Sequence, residues 1–390
     1  RADILILAFG YISITMPIHF PLPTSSQLNI AKLSHLFDDT SASYKFFWFQ
    51  AILNALDKRN CTINISASNS LSFEDIINEM ICTAYYMVTE YHLRLGHRDN
   101  LENIIALLHS YDDSLKPNSK PQEILAALNN FSNDGEVRRL KNILTLNVPY
   151  RLQAPFLQVD YRAKNSNLIR NINLHEGLIY KFGAFDGMNT KICLDDAWAD
   201  YLTHHREILS GWLKYNRINY LERRNPGVPG IINKLNPPEK RDLKKVTDFW
   251  KTVMKYTPIY EIYDLALVDE KNLSIDHFVP WSYVSHDELW NLSPTTKSIN
   301  SSKSNNLPEW NNYFGRLCEV EYQAYELSKQ RIEVKQAFDK CADDHINDEN
   351  VRRLLYKDNL SQGEFACALE NIMRPVYDSC VRAGFTIFRP

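Results

Sequence analysis

The spacing of apolar and polar residues predicts helices through most of the first 150 residues. Ser25 or Ser26 is suited to cap a helix that runs to Phe37. The next helix, capped by Ser43, begins at Tyr44 and is apolar on nearly every face, which predicts a buried central helix. An aromatic surface that stacks on nucleic-acid bases is the alternative. Further helices are predicted at 72–94, 99–110, 120–131 and 135–146.

The pattern changes after residue 148. Two short strands, at 177–182 and 190–193, are predicted across a turn that contains glycine, and a helix follows at 194–215. The Pro and Gly residues between 225 and 238 break the chain. Helices are then predicted at 239–255 and throughout 310–383. We therefore expect a mainly α (α+β) fold with a helical N-terminal domain, a mixed connecting region with a basic end, and a C-terminal domain with its core at 270–310. The expected boundaries are 1–150, 151–236 and 237–390.

One stretch of the C-terminal domain is rich in polar residues of the types that perform catalysis or bind metal ions. A short strand at 273–275 delivers Asp276 and His277 to its end, and a second strand begins at Trp290. The helix that follows, capped by Thr296 or Ser298, places Asn300 and Lys303 on one face because they are three residues apart. A β-hairpin laid against one helix would bring Asp276, His277, Asn300 and Lys303 to a single point.

These residue types suit the hydrolysis of a phosphodiester with one metal ion. Histidine can accept a proton from water near neutral pH. Asp and Asn oxygens suit a hard cation such as Mg²⁺, and a lysine suits an anionic substrate.

The same stretch resembles the HNH (ββα-metal) nuclease family, in the variant in which Asn replaces the last motif histidine. It is particularly similar to the HNH domain of the CRISPR RNA-guided DNA nucleases. The matching pattern is D-H-x-x-P, an Asn fourteen residues after the histidine, and N-x-x-K-S-x-N-x-P beginning twenty-three after it. The matching residues are Asp276, His277, Pro280, Asn291, Asn300, Lys303, Ser304, Asn306 and Pro308. The resemblance covers about 40 residues and does not imply a guide RNA. More loosely, the whole chain is similar to stand-alone HNH endonucleases of bacterial restriction and phage defence.

The resemblance implies a role for each motif residue. His277 would be the general base, and Asp276 and Asn300 would hold one Mg²⁺, with Mn²⁺ as the other possible ion. Asn291 would brace the loop and orient His277, and Lys303 would contact a phosphate oxygen or the metal-bound water.

Several alternatives to these roles stay open. Asn305 and Asn306 could replace or support Asn300, and His286 is a second possible base. For the whole motif, the alternative is an inactive hairpin that serves only for binding. Residues 343–345, Asp-Asp-His, are interpreted as a charged turn between helices rather than as metal ligands.

The spacing of the cysteines bears on whether the chain holds a structural zinc ion and on the cellular compartment in which it folds. The seven cysteines are scattered, with no C-x-x-C pair, so we expect no structural zinc and a reducing cytoplasm. In place of the zinc knuckle of many family members, we expect packing by Trp281, Trp290, Leu292 and Trp310. Residues 2–18 are too short and interrupted for a membrane span, and residues 1–15 are interpreted as a packed strand or an upstream extension.

The net charge of the chain is small, but positive charge is concentrated in one segment. The net charge of −3 excludes a polycation that coats nucleic acid, yet residues 206–255 contain twelve Lys and Arg against five Asp and Glu. A basic lobe before the motif would suit a phosphate backbone, although a solvated helix face is the plain alternative. The candidate nucleic-acid contacts are Arg223, Arg224, Lys234, Lys240, Arg241, Lys244 and Lys245.

Together these features predict a metal-dependent endonuclease that acts on DNA, most simply on duplex DNA, in restriction or anti-phage defence. One such site cuts one strand, so a homodimer is expected for a duplex cutter. A DNA-binding effector that stays silent until a partner such as an ATPase engages it is the competing hypothesis, and RNA cleavage is a weaker one.

Overall fold

The computed structural model describes residues 22–60, 69–97, 99–162, 165–237 and 242–389. Within these ranges the fold is mainly helical with small sheets, so the predicted fold class is confirmed. The predictions for residues 1–15, for Lys240 and Arg241, and for the first residues of the 239–255 helix lie outside the described part of the chain. No helix in the described ranges is long and apolar enough to cross a membrane.

Helices follow one another through the whole described chain. Before the motif they are α1 (Ile30–Ser34), α2 (Tyr44–Asn60), α3 (Phe73–Thr89), α4 (Asn100–Tyr111), α5 (Pro121–Asn130), α6 (Gly135–Leu144), α7 (Val148–Arg151), α8 (Asn165–Asn173), α9 (Asp196–His204), α10 (Arg206–Arg224) and α11 (Lys244–Met254). In and after it they are α12 (Trp281–Val284), α13 (Lys297–Lys303), α14 (Trp310–Gln330), α15 (Ile332–His345), α16 (Glu349–Leu355) and α17 (Gln362–Arg382).

Within the described ranges the strands form three small antiparallel sheets. The first contains β1 (Ser70–Ser72), β2 (Tyr180–Phe182) and β3 (Lys191–Leu194) in the order β1-β3-β2. The second pairs β4 (Ile259–Tyr260) with β5 (Leu267–Val268), and the third pairs β6 (Leu273–His277) with β7 (Leu292–Thr296). The predicted hairpin at 177–193 and the predicted strand–loop–strand–helix order around the motif are therefore both confirmed.

Three predicted helices differ in extent from what the sequence suggested. The helix expected at 72–94 ends at Thr89. The helix expected up to Phe37 is only the five-residue α1. The helix expected at 194–215 is divided into α9 and α10 at His205. Asp195 caps α9 by accepting hydrogen bonds from the backbone N–H groups of Ala197 and Trp198, an anchoring that sequence periodicity does not reveal.

The chain divides into two compact units. The first comprises Arg1–Met80 and Arg138–Arg217, and the second comprises Ile81–Val137 and Ile218–Pro390. The domain boundaries expected at 150 and 236 stay predictions.

The first unit is organised around α2. Its residues Phe46, Phe47, Trp48 and Phe49 are almost completely buried. The Trp48 ring meets the ring of Phe73 edge to face at 5.6 Å between centroids. The prediction of a buried central helix is thus confirmed, and these four rings are not a base-stacking surface.

The second unit has a core that surrounds the β6–β7 hairpin. Its apolar side chains come mainly from α11, α14, α15 and α17. Phe278, directly after β6, lies within 6.4 Å of the ring centroids of Trp310 and Phe314. Trp290, Leu292 and Trp310 are buried as predicted, whereas Trp281 is only half-buried.

The chain after α17 returns to the end of the motif. The backbone N–H of Leu307 donates to the carbonyl of Thr386, and the N–H of Phe388 donates to the carbonyl of Leu307, each at 2.8 Å. The two segments run parallel at the bridge between Leu307 and Ile387. The motif therefore packs against residues from far along the chain.

Candidate active site

The β6–β7 hairpin and α13 bring the motif residues together. In the hairpin register Asp276 pairs with Ser293 and His277 pairs with Leu292. Thr296 caps α13 through its side-chain oxygen, which accepts the N–H of Ile299. The helix therefore starts directly at the end of β7 and carries Asn300 and Lys303 back toward β6.

Asp276 is a buried carboxylate held by two hydrogen-bond donors. The ammonium of Lys303 donates to its Oδ1 at 3.0 Å, and the hydroxyl of Tyr263 donates to its Oδ2 at 2.6 Å. Burial, and then the negative charge of Asp276, keep the pKa of Tyr263 well above its ordinary value, so its hydroxyl stays protonated and can donate. A buried carboxylate needs such partners, because desolvation of an unpaired charge is costly.

Lys303 has no exposed surface. Besides Asp276, its ammonium donates to the backbone carbonyl of His277 at 2.7 Å. The sequence suggested a contact with a phosphate or a metal-bound water, whereas this placement fits a residue that fixes the end of β6.

His277 is paired with an acidic residue of the loop. Its Nε2 lies 2.8 Å from Oδ1 of Asp287. A carboxylate accepts only, so Nε2 carries the proton in this contact and the lone pair of the neutral ring resides on Nδ1. The pair thus sets which nitrogen can act as a base.

The segment that holds Asp287 is anchored to the end of α15. Nδ1 of His345 lies 2.7 Å from the backbone carbonyl of Asp287. The carboxylate of Glu288 accepts the backbone N–H of Asn347 at 3.2 Å and its side-chain amide at 2.8 Å. Asp344, beside His345, pairs with Lys245 at 2.6 Å. Residues 343–345, predicted as a charged turn between helices, are instead the last residues of α15, and His345 supports the loop of the site.

Asn291 clamps the loop that follows His277. It is completely buried, its Oδ1 accepts the N–H of Val279 at 2.8 Å, and its Nδ2 donates to the carbonyl of Val279 at 2.9 Å. The backbone N–H of Phe278 also donates to the carbonyl of Asn291. These bonds satisfy buried backbone groups and fix the direction of the chain after His277.

Asn300 is the motif amide that faces the hairpin. Its Nδ2 donates to Oγ of Ser274 at 2.7 Å and to the carbonyl of Ile275 at 3.2 Å. The other two amides are engaged elsewhere: Asn305 donates to Glu90 at 2.7 Å, and Asn306 accepts the hydroxyl of Thr386. Geometry therefore favours Asn300 over Asn305 and Asn306 as an oxygen donor at the site.

His286 lies in the same loop but faces Trp290, with 5.6 Å between ring centroids. Burial lowers the pKa of His286, and the nearby His277 lowers it further, against the opposing effect of Glu288. Among the described residues its buried Nδ1 has no hydrogen-bond partner. His286 is thus a neutral neighbour of the pair formed by His277 and Asp287.

The donor set at this point suits a small divalent cation in type. Asp276 offers a carboxylate, and Asn300 offers the carbonyl oxygen that its two donated hydrogen bonds leave available. Ser293, opposite Asp276 on β7, has a buried hydroxyl without a partner among the described residues, so the site contains an unfilled polar position. In the described ranges no three His, Cys, Asp or Glu side chains cluster as a metal site. An ion held by one carboxylate and one amide would be completed by water.

The candidate nucleic-acid contacts have different surroundings. Arg223 and Arg224 are exposed at the end of α10. Lys244 and Lys245 are exposed in the first turn of α11, where a cation is disfavoured by the helix dipole, and they pair with Asp248 and Asp344.

Lys234 does not belong to this exposed set. It is fully buried and its ammonium donates to the carbonyls of Pro229 and Tyr283 and to the hydroxyl of Ser285. Lys234 is therefore inaccessible to a phosphate, and it is excluded from the candidate nucleic-acid contacts.

Two residues of the site were missed in the sequence. Tyr263 lies thirteen positions before Asp276 in the chain, and no motif spacing signals it. It is positioned by Glu261, a buried carboxylate that accepts the N–H of Tyr263 at 3.1 Å and the hydroxyl of Thr295 at 3.1 Å. Asp287 gave a weak signal only, as a carboxylate in the loop next to His286.

Comparison with known proteins agrees with this geometry. No curated protein and no solved structure matches the chain. The model of a family described as HNH endonuclease matches residues 260–309, a range that includes Tyr263, both strands of the hairpin and α13. The chain therefore carries an HNH endonuclease domain at residues 260–309, which implies nuclease activity on a nucleic-acid substrate.

Proposed function

We propose that this protein is a metal-dependent endonuclease that hydrolyses DNA phosphodiester bonds, with His277 as the general base. The observation that carries the proposal is the contact between Nε2 of His277 and Oδ1 of Asp287, because His277 directly follows Asp276 in β6. A histidine oriented in this way can take a proton from an attacking water through Nδ1. Asp287 stabilises the imidazolium that results, because the carboxylate is negatively charged and adjacent.

Asp276 and Asn300 would hold one Mg²⁺ or Mn²⁺. Such an ion supplies positive charge to the scissile phosphate and to the leaving oxygen. Lys303 and Tyr263 hold the Asp276 carboxylate in place, and Asn291 fixes the backbone that follows the base. Lys303 is therefore a positioning residue in this proposal.

The proposed setting is bacterial restriction or anti-phage defence, with duplex DNA as the substrate. A single site cuts one strand at a time, so cutting of both strands calls for a homodimer or a second encounter. A mass equal to one chain in solution, under conditions where both strands are cut, would argue against the dimer.

A partner-gated effector is the second candidate, and one observation favours it. Both oxygens of Asp276 already accept hydrogen bonds from buried donors, so the carboxylate is satisfied without a ligand. A partner that shifts Lys303 or Tyr263 would remove one of these donors and so favour binding of the ion to the carboxylate. This effector would leave plasmid intact when purified alone and would cut after its partner, such as an ATPase, is added.

The first experiment is cleavage of supercoiled plasmid with Mg²⁺ or Mn²⁺. Wild type should nick the plasmid, EDTA should stop the reaction, and His277→Ala should lower the rate by roughly 10²–10⁴-fold, the contribution usual for a general base. Equal rates for wild type and His277→Ala would contradict the proposed role.

The role of Asp287 needs a separate comparison. Asp287→Asn should lower the rate by roughly 10–100-fold, because the amide allows the ring to turn or change its protonated nitrogen. Glu288→Gln is the matched control, since Glu288 anchors the same loop to Asn347 without a hydrogen bond to His277.

Nitrogen NMR of His277 supplies a readout independent of activity. The resonances should report protonated Nε2 in wild type and in Glu288→Gln, and a mixture of tautomers in Asp287→Asn. The same tautomer in all three proteins would show that Asp287 does not set it.

A further inference from the structure

The first unit contains a cavity that the nuclease proposal does not use. Its volume is about 200 Å³, and it lies at the start of α2, next to α7. The polar residues of its wall include Asp39, Ser41, Lys45, Asn147, Arg151 and Tyr161. The remaining wall includes Ala42, Val148 and Ala154, so the cavity offers both polar and apolar contacts.

Two cationic side chains line this cavity. The Lys45 ammonium is half-buried and donates only to the carbonyl of Leu36 at 3.3 Å among its described contacts. The Arg151 guanidinium carbon lies 4.7 Å from the centre of the Tyr161 ring. Among the described residues neither cation has a carboxylate within ion-pair distance, in contrast to Lys141, which pairs with Glu74 in the same unit.

Burial of Lys45 has an electrostatic consequence. Desolvation lowers the pKa of Lys45, the charge of Asp39 raises it, and the charge of Arg151 lowers it again. The effect of Asp39 exceeds that of Arg151, so desolvation is the main cost that an anion bound beside both cations would offset.

Neutral donors complete the wall. The Tyr161 hydroxyl is buried without a hydrogen-bond partner among the described residues, and burial raises its pKa, so it remains a donor. Asn147 precedes α7, yet its side chain makes no capping hydrogen bond there. α2 has 17 residues and no acidic side chain in its first turn, so its positive end adds to the field of the two cations.

We propose that this cavity binds a small sugar phosphate, of the size of a pentose phosphate or a mononucleotide. The phosphate would lie between Lys45 and Arg151, with the Tyr161 hydroxyl as a further donor. The fork of Arg151 suits two phosphate oxygens, whereas Lys45 acts as a point charge. Asp39 would accept a sugar hydroxyl and would repel ligands that carry negative charge at both ends. The apolar wall would cover the body of the ligand.

Calorimetry on the full chain in EDTA tests the proposal with defined probes. These are inorganic phosphate, ribose, ribose 5-phosphate and adenosine 5′-monophosphate at constant ionic strength. Ribose 5-phosphate should bind more tightly than inorganic phosphate, and ribose should not bind. Absence of heat from every phosphorylated probe up to about 10 mM would overturn the proposal, since a dissociation constant above that concentration does not indicate a specific site.

Variants locate the site. Arg151→Ala and Lys45→Met should each weaken ribose 5-phosphate binding by roughly tenfold or more, and Tyr161→Phe by a few-fold. Lys181→Met is the matched control, because Lys181 is a cation of the same unit that pairs with Glu176 away from the cavity wall. Arg151 is exposed, so its loss should leave the fold intact, and a thermal melt verifies this. Undiminished binding in Arg151→Ala and Lys45→Met would place the ligand elsewhere and overturn the assignment.

Discussion

Among the described residues of the second unit, two lysines are fully buried and have opposite surroundings. Lys303 faces a carboxylate, Asp276, and one backbone carbonyl. Lys234 faces three neutral oxygens, from Pro229, Tyr283 and Ser285. Burial lowers the pKa of Lys234 to about 8. One ammonium is therefore part of an ion pair, whereas the other is held by neutral oxygens and lies 5.5 Å from the centre of the Tyr91 ring.

The difference shows what each lysine does for the fold. Lys303 compensates the buried negative charge of Asp276, so removal of Lys303 leaves a buried carboxylate without a counter-charge. Lys234 satisfies a carbonyl of α12 and the side chain of Ser285, which ends that helix with a positive φ of 56°. It acts as a C-terminal cap delivered from elsewhere in the chain.

The largest effect is expected from Lys303→Met. Breaking a buried pair on one side typically costs about 3–5 kcal/mol, so the free energy of unfolding should fall by that amount and plasmid nicking should be lost. Urea unfolding measures the first and the plasmid assay the second. Lys297→Met is the matched control, since Lys297 is exposed at the other end of α13.

A double variant sharpens this test. Lys303→Met combined with Asp276→Asn should recover part of the stability, because no buried charge then remains unpaired. A single variant as stable as Lys297→Met would contradict the comparison between the two lysines.

A smaller loss is expected from Lys234→Met. The methionine fills the space of the stem but leaves buried oxygens without a donor, which costs about 1–3 kcal/mol. Because no carboxylate is left uncompensated, the loss should be below that of Lys303→Met. Nicking activity measured at a temperature where the variant is folded should be unchanged.

The pH dependence of the same variant has a defined sign. The pKa of Lys234 is about 8 in the folded state against an ordinary 10.5, so between these values the unfolded chain binds more protons. Wild-type stability should therefore rise, relative to Lys234→Met, as pH increases from about 8 to 10.5, and the difference should be constant below pH 8. Urea unfolding of both proteins at several pH values measures it. A difference that decreases over this range would show that burial does not lower the pKa.

The smallest stability effects are expected at Lys244 and Lys245. Their ion pairs with Asp248 and Asp344 are exposed, so Lys244→Met or Lys245→Met should change the free energy of unfolding by less than about 1 kcal/mol. If the two lysines contact phosphates, each variant should reduce the salt dependence of DNA binding by about one unit in the log–log slope. An unchanged slope would reduce the proposed interface to Arg223 and Arg224.

The sequence was informative where structure is local. The spacing of Asp276, His277, Asn291 and Asn300 is sufficient to predict a hairpin followed by a helix, since each element is short and follows the previous one directly. Asp287 and Tyr263 could not be predicted in the same way. Their contacts depend on the path of a loop and on a distant turn, which only the packed structure defines.

Charge counts were the least informative. Lys234 belongs to the same basic run as Arg223 and Lys244, yet tertiary packing places it inside. The break at His205, which is the C-cap of α9, likewise interrupts an otherwise continuous helical pattern that gave no sign of it.

The return of the chain to Leu307 has a consequence for the order of events during synthesis. Thr386 and Phe388 form their backbone bonds with a motif segment made about eighty residues earlier. Phe388 also packs against the ring of Tyr263, the donor to Asp276, at 5.4 Å. A ribosome releases Asp276 and His277 well before these supports, so the motif of a nascent chain lacks them. The proposed nuclease site would therefore be completed only after residues 386–388 have been made.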